Sequence, residues 1–229
     1  MSFDAGQTLV ELDTAMLAAR LRERGVVVEP ALLESAGPVA YATYDRLSVR
    51  DGHPWLAFMG TLLTCAGVSR SDAAALAAWL FEEQPKRNLW RRTVPGMVEL
   101  CRELRELGVP IGIISNSEGR LAELLREIGI GDLFAVVADS GRLGFEKPDR
   151  RIFDWFAAEM NVPLQEIVHI GDSPTADVDG SLAVGMYALG FDIGARGPAP
   201  AMRAPVATSA TVLRAELVRL DLVGLSDVA

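Results

Sequence analysis

Between about Asp13 and Asn88 apolar residues recur at the i, i+3, i+4 spacing of helices that bury one face. Leu17, Leu21 and their neighbours predict an amphipathic helix between Asp13 and Gly25. Pro30 to Leu47 and Pro54 to Ala66 predict two more, each with proline near its first turn. Ser71-Asp72 reads as the cap of an alanine-rich helix that runs to Glu83. No strand is expected in this stretch, and its aromatic residues, Tyr41, Tyr44, Trp55, Phe58, Trp79 and Phe81, are read as core.

The pattern then changes to strand, turn, helix. Pro95 opens a helix through Val98, Leu100, Cys101 and Leu104, and Gly108 ends it. Short apolar runs follow at Val109 to Ile114, Ala135 to Ala138, Ile167 to Ile170 and Met186 to Phe191, each read as a strand, and the first of them suits burial on both faces. Helices are expected between them, at Glu118 to Ile128 and Asp149 to Met160, with a last amphipathic segment around Leu213 to Leu222. The loop from Gly194 to Pro205 is rich in glycine, proline and alanine. The expected fold class is α/β, a Rossmann-like parallel sheet flanked by helices. Residues 1–13 and 94–229 would form this core, and residues 14–93 an inserted all-helical domain.

Composition narrows the partners. The chain has 229 residues, half of them apolar, enough for a sizeable core. No apolar run approaches the roughly eighteen residues of a membrane span. The N-terminus shows no basic region followed by an apolar segment, so a cytoplasmic location is expected. A net charge of −9 argues against nucleic acid, whose phosphates are held mainly by lysine and arginine. Cys65 and Cys101 lack the spacing of a metal or redox site and are expected to be buried thiols. Nothing in the pattern speaks to oligomeric state.

Candidate chemistry sits at the strand ends. In Phe3-Asp4-Ala5-Gly6-Gln7-Thr8-Leu9-Val10 an aspartate lies where a short buried strand would stop, although Asp-Ala-Gly is also ordinary turn composition. Ser115-Asn116-Ser117, just before a helix, suits phosphate or carboxylate oxygens and equally suits an N-cap. Lys147, followed by Pro148 and a helix, is pinned at a junction where its ammonium could balance carboxylates. Asp172 and Asp177 can converge on one cation, and a helix N-terminus alone would also favour Asp177. His169 reads as packing beside the sheet, His53 has no supporting context, and the basic run Lys86 to Arg92 reads as a solvated face. In a parallel sheet these ends meet at one edge, and together they hold what phosphoryl transfer through an aspartyl-phosphate requires.

The segments FDAGQTLV, IISNS, EKPD and GDSPTAD, in this order, resemble the four motifs of the haloacid dehalogenase-like superfamily of hydrolases. The resemblance implies that Asp4 is the nucleophile and that Lys147 works beside it. Thr8, Ser115, Asn116 and Lys147 would hold the phosphoryl group. Magnesium would sit on Asp4, Asp172, Asp177 and the backbone carbonyl of Gly6. It also implies a small phosphorylated substrate, and it matches the helical insertion to the mobile cap that shapes the family's substrate pocket. One position departs: phosphatases of the family carry a second aspartate where this chain has Gly6. There it protonates the leaving oxygen and then activates water, work worth about 10²- to 10⁴-fold in rate. A magnesium-dependent phosphatase, slow on alkyl phosphates, is therefore the expected activity. The alternatives are a metal-independent 2-haloacid dehalogenase, against which Gly171-Asp172 counts, and a non-catalytic phosphate- or metal-binding regulatory protein.

Overall fold

The computed structural model describes residues 1–46, 53–195 and 201–221. Two compact units emerge, one of Met1–Glu11, Arg91–Ile193 and Pro200–Ala229, the other of Leu12–Trp90 and Gly194–Ala199. In chain order β1 (Ser2–Phe3) leads through the Asp4 loop to β2 (Val10–Leu12). Helices α1 (Thr14–Arg22), α2 (Pro30–Arg46), α3 (Pro54–Cys65) and α4 (Arg70–Glu83) follow. Strand β3 (Trp90–Thr93) then pairs with β2 in a two-stranded ribbon. The rest alternates: α5 (Met97–Glu106), β4 (Gly112–Ser115), α6 (Leu121–Glu127), β5 (Val137–Asp139), α7 (Ser140–Leu143), α8 (Arg150–Met160) and β6 (Val168–Gly171). Helix α9 (Gly180–Ala183), β7 (Tyr187–Phe191), β8 (Val206–Ala207) and α10 (Ala210–Arg219) complete it. Leu47, Leu222 and the middle of the Gly194–Pro205 loop lie outside the described residues.

The first unit is a six-stranded sheet in the order β5-β4-β1-β6-β7-β8, with every described pairing parallel. A strand of two residues, β1, lies in its middle. Ser2 stands opposite Gly112 on one side and His169 on the other, and Phe3 stands opposite Ile113 and Ile170. A side chain at Gly112 would place its Cβ 2.6 Å from the Phe156 ring, so glycine there lets α8 lie close on β4. Helix α8 buries Ile152, Phe153 and Phe156 in a cluster with Ile114 and Ala138 of the sheet. Each such side chain is worth roughly 1.5–3 kcal/mol of burial. Its N-cap is Asp149, whose carboxylate accepts from the Arg151 backbone N–H at 2.9 Å. Helix α5 begins two residues after Pro95, because Gly96 turns the chain at φ +79°.

The second unit is helical and its core is apolar. Leu17, Leu21, Leu33, Phe58, Met59, Leu62 and Leu80 pack in one cluster, with Tyr41 against Phe58 at 4.7 Å between ring centres. Three expectations need correcting here. The cap of α4 is Ser69, not Ser71-Asp72, and its Oγ accepts from the Asp72 N–H at 3.2 Å. Cys65 and Tyr44 are exposed, because both fall on outward positions of otherwise apolar helices. The run from Lys86 to Arg92 is not a bare solvated face. Trp90 to Thr93 is a strand, and Lys86, Arg87, Arg91 and Arg92 pair with Glu83, Glu23, Glu127 and Glu11.

Candidate active site

The site forms where β1, β4 and β6 of the first unit end. Asp4 is the first residue past β1, and its backbone N–H continues the ladder by donating to Ile170 O at 2.7 Å. The buried Lys147 side chain comes from the loop between α7 and α8. Its Nζ donates to Asp4 Oδ1, to Asp177 Oδ1 and to the Ile114 carbonyl, each at 2.6 Å. An ammonium has three donors, so all are used. Asp177 is fixed in turn: Oδ1 also lies 3.0 Å from His169 Nε2, and Oδ2 accepts from the Ser173 N–H at 2.9 Å. The last residue of β6 has to be glycine, since a Cβ on Gly171 would come within 2.3 Å of Asp177 Cγ.

Two loops hold this arrangement from behind. The Asn116 side chain clamps the backbone of Lys147, accepting from its N–H at 2.8 Å and donating to its carbonyl at 3.0 Å. Asp139, buried at the end of β5, accepts from Ser117 Oγ and from the backbone N–H groups of Gly119, Leu121 and Gly141, all between 2.7 and 3.0 Å. A carboxylate taking that many donors organises the turn after β4, and with it the position of Ser115.

Two carboxylates share the one ammonium. Burial alone would push both up. For Asp177 the Lys147 charge and the His169 hydrogen bond outweigh burial and hold it below the usual carboxylate range. For Asp4 burial dominates, opposed by Lys147 and reinforced by the Asp177 charge, and its carboxyl is pushed up. Burial would lower the Lys147 ammonium, but Asp177 and Asp4 together raise it above the ordinary lysine value, so it stays charged. Asp4, Asp172 and Asp177, all buried, each offer an oxygen within 4.8 Å of the others. Three carboxylates against one ammonium leave two negative charges, and an all-oxygen donor set of that charge fits a hard divalent cation. Both oxygens of Asp177 already accept hydrogen bonds, Oδ1 from Lys147 and His169 and Oδ2 from the Ser173 N–H.

The structure thus brings Asp4, Lys147, Asp172 and Asp177 together, with Ser115 buried at the end of β4. Thr8 is fully buried in the loop after Asp4, and its Oγ1 has no hydrogen-bond partner among the described residues. The Asn116 amide is committed to Lys147, which corrects its expected use on a phosphoryl group: only its backbone could serve there. A Cβ placed on Gly6 would lie 3.8 Å from Asp4 Oδ2, an ordinary contact. Sequence reasoning missed Asp139 and took His169 for a packing residue. The signals were there: an acidic residue closing a short apolar strand before Ser-Gly, and an imidazole in the middle of Ile-Val-His-Ile.

A parallel Rossmann-like sheet with an aspartate, a lysine and two further carboxylates at its C-terminal edge places the protein among α/β enzymes whose chemistry sits at the strand ends. The haloacid dehalogenase-like hydrolase family matches residues 5–185, and the chain belongs to it. Haloacid dehalogenase-like hydrolase domain-containing protein 3 of Xenopus laevis is 30% identical over 178 residues, 74% of this chain and 72% of that one. Phosphoserine phosphatase of Thermus thermophilus is 30% identical over 132 residues, 57% of this chain and 51% of its own. Among solved structures, the HAD-hydrolase YfnB of Bacillus subtilis bound to magnesium superposes with a TM-score of 0.68 at 19% identity, covering 94% of this chain and 96% of that one. No helix among the described residues is long and apolar enough to cross a membrane.

Proposed function

We propose that this chain is a magnesium-dependent phosphatase acting on a small phosphorylated metabolite through an aspartyl-phosphate on Asp4. The observation that carries the reading is the 2.6 Å contact of Lys147 with Asp4 Oδ1, which leaves Oδ2 as the attacking oxygen. Oδ2 forms a bond to phosphorus while the ester P–O bond breaks and the leaving group takes the electron pair. Water then attacks phosphorus, the bond from phosphorus to Asp4 Oδ2 breaks with its electron pair returning to the carboxylate, and phosphate leaves carrying the protons of the water. Lys147, its three hydrogens on Asp4, Asp177 and Ile114, sets a positive charge beside the transferred phosphoryl group, and Thr8 Oγ1, Ser115 Oγ and the Asn116 backbone N–H supply donors. Asp4, Asp172 and the Gly6 carbonyl would hold magnesium, which neutralises charge on the transferred group. Asp177 positions Lys147. The helical stretch inserted between the first two motifs is read as the substrate-selecting cap. The site has a small-molecule character, and a cytoplasmic location remains the reading that goes with it.

Gly6 sets the limit of this chemistry, because no side chain there protonates the leaving oxygen or takes a proton from water. Aryl phosphates, whose leaving groups need no proton, are turned over faster than alkyl phosphates. The test is hydrolysis of an aryl and an alkyl phosphate with and without magnesium. Turnover on the aryl ester requires the metal and vanishes in Asp4→Asn. Gly6→Asp, for whose Cβ there is room, raises alkyl turnover by about 10²- to 10⁴-fold. Activity that survives in Asp4→Asn removes Asp4 from the nucleophile role. The same Gly6 supports a second reading, a phosphate- or metal-binding module, which gains if the wild type turns over neither ester.

A further inference from the structure

A buried chain of hydrogen bonds runs behind the site into Asp177 and Lys147, and its first two members, Ser2 and His169, have no role in the chemistry above. Ser2 and His169 face each other in the register of β1 and β6, and Ser2 Oγ lies 2.9 Å from His169 Nδ1. His169 Nε2 lies 3.0 Å from the same Asp177 Oδ1 that takes Lys147. Ser2, His169, Asp177 and Lys147 are all buried.

The direction of these bonds follows from chemistry. An ionised carboxylate only accepts, so the proton is on Nε2. Burial disfavours the charged ring and lowers its pKa, which leaves Nδ1 as an acceptor. The Ser2 hydroxyl is its donor, the other acceptor in reach being the Val168 carbonyl at a long 3.5 Å. The ring has one tautomer and one orientation, and Phe153 stands edge-on to it at 6.0 Å.

We infer that His169, oriented by Ser2, is a positioning residue that locks the Asp177 carboxylate so that Lys147 stays on Asp4. Packing alone gives no reason for these residue types. The neighbours of His169 on its strand, Val168 and Ile170, are buried and aliphatic, and burying an imidazole and a hydroxyl in the middle strands costs free energy unless each is bonded. Both are bonded, and the bonds end on a functional carboxylate. Among the described residues Asp177 would otherwise be held by the Ser173 N–H and by the lysine it has to aim. A second donor on Oδ1 fixes the carboxylate plane independently of Lys147.

The catalytic consequence rests on Asp4 being the nucleophile, whereas the geometric one does not, and the experiment reads both. For wild type, Ser2→Ala, His169→Leu and His169→Gln we would measure aryl phosphate kcat and KM with magnesium. In the metal-free proteins we would follow the ¹⁵N resonances of the Lys147 ammonium and of residue 169. His169→Leu lowers kcat by about 10- to 100-fold with KM little changed, and His169→Gln, which restores a donor to Asp177, recovers most of the loss. Ser2→Ala removes one hydroxyl, folds more readily than the Leu variant, and shows a smaller loss in the same direction. The Lys147 ammonium signal is protected in wild type and His169→Gln and broadened in His169→Leu, and the wild-type ring shows the Nε2–H tautomer. A His169→Leu or Ser2→Ala protein that melts lower but keeps both kcat and the ammonium signal overturns the inference and makes His169 a sheet-packing residue. Absence of Asp4-dependent turnover in the wild type sinks the phosphatase reading instead, and the resonances still decide the positioning role.

Discussion

The two units bury polar groups in opposite ways. Among the described residues the first unit buries Asp4, Asp139, Lys147, His169, Asp172 and Asp177, while in the second the buried charge is Arg20, with Thr14 and Gln84 the other buried polar residues. The two cations make the contrast concrete. Lys147 has three acceptors at 2.6 Å, supplied by the ends of strands and the turns behind them. Arg20 is as thoroughly buried, yet its Nε has no hydrogen-bond partner among the described residues. Glu23 and Glu83 lie 3.4 and 4.0 Å away, and its guanidinium stacks over the Trp79 ring at 4.6 Å. One charge is held by directed bonds and the other by a face it lies against. Directed bonds are what a chemical step needs, because they fix where a charge sits to a fraction of an ångström.

The largest effect follows from removing the directed cation. Lys147→Met leaves Asp4 and Asp177 facing each other without a counter-charge in a buried site, and breaking such a pair typically costs about 3–5 kcal/mol. Aryl phosphate kcat should fall by at least about 10²-fold, the usual worth of a donor aimed at a transferring group. Urea unfolding and steady-state kinetics on one preparation check both. Unchanged turnover would mean that Lys147 is structural only, and the contrast between the units would lose its functional half.

The two thiols give a second comparison. Cys65 in the helical unit is exposed, and Cys101 in the sheet unit is buried, with its thiol pushed up to about 12, first by burial and then by the Glu99 charge. A thiol reagent at pH 8 should therefore label Cys65 alone in the native protein and both thiols in denaturant. The linkage has a definite sign. The folded pKa lies above the unfolded value of 9.0, so the stabilisation is complete below pH 9 and is lost as pH rises towards 12. By pH 10 the loss from this group is about 1.4 kcal/mol, one pH unit's worth. In Cys101→Ala the stability curve should be flatter by that amount between pH 7 and pH 10, whatever the variant costs at pH 7. Equal slopes would show that the thiol ionises without unfolding.

The same division explains what could be read from the chain. Asp4, Lys147, Asp172 and Asp177 were legible because each strand end has to place its polar group within a few residues, so the chemistry is written locally. The clamp that Asn116 makes and the role of Asp139 were not, because their partners lie 31 residues away at Lys147 and about 20 away after β4, and only the fold joins them. His169 sat in plain view, but its meaning depends on Ser2, 167 positions earlier and opposite it in the sheet. The short pairs β2, β3 and β8 escaped because two to four residues carry no period to detect. In the helical unit the apolar spacing gave the helices within a few residues at each end, but not which outward positions, Cys65 and Tyr44 among them, would stay exposed. Arg20 reads as one more basic residue in the last turn of α1, and nothing local reveals that the Trp79 ring covers it.

That covering makes Arg20 the smallest of the predicted effects and the sharpest control. Burial, and after it the like charge of Arg87, lower the pKa of its guanidinium, so its charge sits in an unfavourable place. Its glutamates compensate weakly, since Glu23 is half exposed and screened by solvent. The favourable part is the stacking on Trp79, which Arg24 also contacts at 4.5 Å, together with the apolar stem of the side chain. Methionine keeps the stem and gives up the charge, and exchanging a buried charge for an apolar group of similar length is often close to neutral. Arg20→Met should therefore shift unfolding by no more than about 1 kcal/mol, in either direction, and leave aryl phosphate kcat unchanged. A loss as large as that of Lys147→Met would show that depth of burial sets the cost of removing a cation in this protein. A small one would show that the cost comes from the bonds the cation makes, and those are concentrated where the strands end.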